Sequence, residues 1–70
     1  MYSLKVLKGF IHKDGRVFDP DHPCNSLSAF EVAELVVDYP ANFEGSDEIT
    51  KELIKDKEKM KHLHDAKGRK

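Results

Sequence analysis

Apolar and polar positions alternate from Tyr2 to Phe10, with Tyr2, Leu4 and Val6 on one side and Ser3, Lys5 and Leu7 on the other. A period of two carried by β-branched and aromatic residues predicts a strand. Lys13-Asp14-Gly15-Arg16 follows, and Asp-Gly is a strong turn signal because glycine accepts the positive φ of tight turns. Val17-Phe18 resumes the apolar pattern, so one β-hairpin is predicted over residues 2–18. Asp19-Pro20-Asp21-His22-Pro23 cannot extend that ladder, since prolines remove backbone donors and push their predecessors into extended conformations. A loop is expected there, with Cys24–Leu27 adding a short third strand.

The period then changes. Ser28-Ala29-Phe30-Glu31 has the S-x-x-E form of a capping box, with Leu27 and Val32 placed for the accompanying hydrophobic staple. A helix is predicted over 29–38, with Phe30, Val32, Ala33, Leu35, Val36 and Val37 as a wide apolar stripe. Tyr39-Pro40 ends it, because the residue before proline avoids the α region. Ala41–Glu44 reads as an extended return to the sheet with Phe43 inward, and Gly45 releases the chain. A second helix over 47–67 opens with Asp47 and Glu48, where the helix dipole favours anions. Its apolar residues are Ile49, Leu53, Ile54, Met60 and Leu63, of which Ile49, Leu53, Met60 and Leu63 follow a heptad seam interrupted at Asp56. The fold class is therefore α+β: a small hairpin or three- to four-stranded sheet, one short capped helix and a longer charged helix. Residues 1–45 form the α+β unit and 46–70 the charged helix of the same domain.

Composition sharpens this division. Charged residues make up 36% of the chain and hydrophobic ones 39%, against about 25% and 45–50% in ordinary domains, which suggests a thin core carrying a solvated appendage. Residues 1–45 sum to −3 and residues 46–70 to +2, and the stretch Lys59–Lys70 holds five basic residues against Asp65 alone. Lys59, Lys61, Lys67, Arg69 and Lys70 are thus the candidate nucleic-acid contacts, although a pI of 6.4 lacks the overall basic footprint of such domains. Lys5, Lys8, Lys13 and Arg16 beside Tyr2, Phe10 and Phe18 form a weaker candidate of stacking type. The lone Cys24 excludes an internal disulfide. No apolar run reaches the roughly 18–20 residues of a membrane span, and the amino-terminal stretch is too mixed for a signal peptide.

The candidate chemistry is sparse. His22 and Cys24 stand two apart, as do His62 and His64, and neither pair has the spacing of a structural zinc site. Positions i and i+2 of a helix point about 200° apart, so His62 and His64 do not chelate one ion. Cys24 with His22 or His12 lacks a third, orienting group. Asp19/Asp21 and Glu31/Glu34 have no apolar pocket to separate their pKa values. Phosphate-binding glycine motifs are absent. No catalytic residue, metal or cofactor is expected, and the chain reads as a binding protein.

The order Lys5-Val6-Leu7, Gly9-Phe10, Asp14-Gly15, Val17-Phe18-Asp19-Pro20, Leu27-Ser28, Phe30 to Val36 and Ala41-Asn42-Phe43 resembles small proteins encoded in the morphogenesis regions of tailed bacteriophages and prophages. Their usual run is a strand, DG-x-x-Y/F-x-P-G-D, L-T/S-x-x-E-A-x-x-L and a closing G-A-A/V. The resemblance covers residues 4–44. It departs at Asp21, where glycine is usual, and at Tyr39-Pro40, which replaces the glycine after the helix. It implies a non-enzymatic accessory or structural protein of virion assembly, located in the host cytoplasm or the virion, with a phage structural or host protein as partner. Self-association through Ile49, Leu53, Met60 and Leu63 is a specific expectation. The alternative is a small nucleic-acid-associated or host-factor-binding protein using the basic C-terminal helix.

Overall fold

The computed structural model describes residues 1–68, with side chains through Ala66. The architecture is α+β, with five strands in two small sheets and three helices among the described residues. Strand β1 (Tyr2–Val6) is central in the larger sheet, flanked by β4 (Cys24–Leu27) and β5 (Phe43–Gly45), both antiparallel to it. Strands β2 (Phe10–Ile11) and β3 (Val17–Phe18) form a separate two-stranded hairpin.

The predicted hairpin over residues 2–18 is therefore corrected to 10–18. Both edges of β1 are taken by partners distant in sequence, with Tyr2 opposite Leu27 and Val6 opposite Phe43. The chain leaves the sheet at Leu7, whose N–H donates to the Asn42 carbonyl, while the Asn42 amide donates to the Lys8 carbonyl. The turn itself sits where Asp14-Gly15 predicts it. Gly15 N–H donates to His12 C=O, His12 N–H donates to Arg16 C=O, and Gly15 has φ +92°. That pattern is a type I turn closed by a left-handed residue, one of the common hairpin connections.

The third strand is present as expected. It carries a bulge between the two registers with β1, and Ser26 has φ 59° there. A short, bulged edge strand of this kind resists pairing with another sheet.

Helix α1 (Ala29–Asp38) has the predicted limits and the predicted capping box: Glu31 N–H donates to Ser28 Oγ, and Ser28 N–H donates to Glu31 Oε1. The second predicted helix, 47–67, is two helices. Asp47 caps α2 (Glu48–Lys55), and α3 (Lys57–Gly68) starts after a break at Asp56. Asp56 Oδ1 accepts from Lys59 N–H, and its backbone has φ −83° and ψ 85°. A short acidic side chain that can take a free amide competes with helix continuation. The redirected chain lets α2 pack on β5 and β1 while α3 packs on α1.

One core cluster results, formed by Leu4, Val6, Phe18, Leu27, Val32, Ala33, Leu35, Phe43, Leu53 and Met60. Leu53 and Met60 are thus core residues, Leu63 packs half-buried against them, and Ile49 is exposed. These four do not form a one-sided exposed seam. Phe43 points inward as expected and joins Phe10, Phe18 and Tyr39 in an aromatic cluster that ties the hairpin to β5 and the end of α1. Ring centroids lie 4.4 Å apart for Phe10–Tyr39 and 5.4 Å for Phe18–Phe43. Thr50, fully buried on α2, accepts from Ser3 N–H at 2.9 Å, and Ser46 N–H donates to Ser3 C=O. The start of α2 is in this way fastened to β1. Gly45 makes that approach possible, since a Cβ there would stand 2.9 Å from Lys51 N.

Candidate binding groove between α1 and α3

The break at Asp56 leaves an open groove where the C-terminal end of α1, the end of α2 and the first turns of α3 meet. Its volume is about 430 Å³, within the range of pockets that hold ligands. Val36, Val37 and Pro40 come from α1 and the turn after it, Ile54 from α2, and Lys57, Met60, Lys61, His64 and Asp65 from α3. The α3 residues lie three and four apart, the spacing that places side chains on one helix face. Met60 is buried at the base, Val36 and Ile54 are half-buried, and Val37 retains 41% exposure.

The charges around it are unequally engaged. His64 Nε2 lies 2.9 Å from Asp38 Oδ1, joining α3 to the last turn of α1, and its Nδ1 lies 3.8 Å from Asp65. Lys57 and Lys61 are exposed and have no ion-pair partner among the described residues.

A second polar cluster clasps the hairpin to α1. Arg16 lies 2.8 Å from Asp14 Oδ2 and 3.2 Å from Glu34 Oε1, and its guanidinium stands over the Phe18 ring. The Arg16 backbone N–H holds the Asp14 carboxyl below its ordinary value. His12 is buried beneath the turn, with Nδ1 3.0 Å from Asp14 Oδ1, and its Nε2 meets no hydrogen-bond partner. His12 Nδ1 also accepts from Asp14 N–H at 3.3 Å, and the ring packs edge-on against Phe18 and Tyr39. This cluster fixes the turn to the helix.

The residues singled out from sequence are dispersed. Lys59 and Lys61 are exposed on α3, with Lys61 alone reaching the groove. The Lys67 side chain, Arg69 and Lys70 lie outside the described residues. Of the proposed seam only Met60 lines the groove, at its base. The stacking candidate on the hairpin is spent on the fold, since Phe18 is buried, Phe10 is packed on Tyr39 and Arg16 is ion-paired. His22 and His62 are exposed, whereas His64 is half-buried against Asp38. Cys24 is half-buried, and burial pushes its thiol pKa up, the reverse of what a nucleophile requires.

In the sequence, the groove residues Val36, Val37, Pro40 and Ile54 read as core or turn positions. Among the described residues no group of three or more His, Cys, Asp or Glu could hold a metal ion, and no helix is long and apolar enough to cross a membrane. No protein-family model, curated protein or solved structure gives a significant match to this chain.

Proposed function

We propose that this chain is a non-enzymatic accessory or structural protein of phage or prophage type that holds a protein partner in the α1–α3 groove. The observation that carries the binding reading is an open apolar concavity beside two unpaired lysines on a domain of 70 residues. The run of motifs across residues 4–44 supports the phage context. The non-catalytic reading is supported by how the polar side chains are used: Ser28, Asp47 and Asp56 cap helices, and Asp14 closes a turn. Selection of displayed random peptides on the protein, counter-selected against Val37→Lys, tests the reading. It predicts enriched apolar peptides that require an open groove; enrichment of peptides that bind both forms equally would refute it.

The exposed lysines 57, 59 and 61 favour a second reading, contact with nucleic acid through α3. Affinity for a short oligonucleotide would then fall steeply as salt rises. No binding at low salt would remove it.

A further inference from the structure

We infer that the groove's occupant is an acidic amphipathic helix, seating apolar side chains on Val36, Val37, Ile54 and Met60 and placing carboxylates against Lys57 and Lys61. This rests on the groove reading and adds the chemistry of the partner. The charge argument comes from what is already engaged. Asp38 is held by His64, and Asp65, the one carboxylate lining the groove, lies beside the same ring, while Lys57 and Lys61 form no ion pair among the described residues.

Lysine stems lie along apolar surface with their ammonium groups at its margin, so the groove offers an apolar floor with a rim on which two lysines stand against the single carboxylate of Asp65. Lys57 and Lys61 stand one turn apart, a spacing that carboxylates at i and i+4 of a facing helix can match. Apolar anchors at i, i+3 or i+4, and i+7 then fall along the same partner face. A partner strand is disfavoured because the lining comes from three helices and the Pro40 turn, leaving no sheet edge to extend. A nucleic acid would answer the lysines and leave the apolar floor in water. The α3 lining runs from Lys57 to Asp65 and extends about 12 Å, which sets a partner helix of about two to three turns.

The test is an amide NMR titration of the full chain with three helical peptides of that length. The first has leucine anchors and glutamate flanks, the second leucine anchors and lysine flanks, the third alanine anchors and glutamate flanks. The first is expected to shift Val36, Val37, Ile54, Lys57 and Lys61, and to bind about tenfold more weakly to the exposed double variant Lys57→Glu/Lys61→Glu. Equal binding of the lysine-flanked peptide at the same residues would overturn the acidic partner and leave the groove standing. Equal binding of the alanine-anchored peptide would overturn the apolar floor, and with it the groove reading. No shift at the groove by any peptide, or shifts confined to the hairpin, would overturn both.

Discussion

Thr50 gives the sharpest test of how the helical half is fastened to the sheet. Its side chain is fully buried, and its hydroxyl is the acceptor for Ser3 N–H at 2.9 Å. Thr50→Val keeps the volume and the branched Cβ but removes that acceptor. Ser3 N–H then has a methyl group in place of oxygen, and leaving such a donor unpaired costs about 1–3 kcal/mol. Thr50→Ser makes the opposite change, keeping the hydroxyl and losing one buried methyl, worth about 0.8 kcal/mol. The valine variant should therefore be the less stable of the two, although valine is the more apolar residue. Urea unfolding followed by circular dichroism reads the difference as a lower midpoint with unchanged slope. For a domain of this size, 1 kcal/mol corresponds to about 4–8 °C in Tm. A valine variant as stable as wild type, or more stable than the serine variant, would refute the role given to this hydrogen bond.

Three further outcomes are expected. Asp56→Ala removes the α3 cap and should cost about 0.5–2 kcal/mol in urea unfolding, even though alanine is the better helix former; a gain in stability would contradict the break as a required turn. Gly15→Ala, at φ +92°, should cost about 1–2 kcal/mol in the same assay, because a Cβ is strained in the left-handed region. The Thr50 N–H holds the Asp47 carboxyl below its ordinary value of 3.8. Its stabilising contribution is thus present above that pH and lost as pH falls through the lower folded value. Asp47→Asn, which caps without titrating, should lose less stability than wild type between about pH 5 and pH 2; parallel acid curves would contradict this.

Local signals were legible where short-range chemistry decides the outcome. Ser28 with Glu31, Tyr39-Pro40 and Asp14-Gly15 each mark a boundary that depends only on a few neighbouring residues, and α1 and the tight turn lie where those residues place them. The pairing of β1 was not legible from alternation, because a strand's period does not name its partner, and Val6 found Phe43 rather than Phe18. The heptad placement sets Leu53 and Met60 on one interrupted seam of a single helix, whereas burial against two different surfaces, the sheet and α1, favours a bend between them. Asp56 was the available signal. Read as a broken heptad position, it concealed its use as a cap. The groove depends on that bend, so Val37 and Ile54 were invisible as site residues until the break was known.

The most direct test of the groove is the Kd of the leucine-anchored, glutamate-flanked helix for wild type and for Val37→Lys, measured by fluorescence anisotropy. Val37 is 41% exposed near the end of α1, where a lysine is well tolerated by the helix dipole. The substitution adds positive charge while closing the apolar floor, so the two contributions carry opposite signs. The account predicts binding about tenfold weaker, because the loss of apolar burial outweighs one exposed charge. Unchanged or tighter binding would contradict it, marking the contact as charge attraction alone.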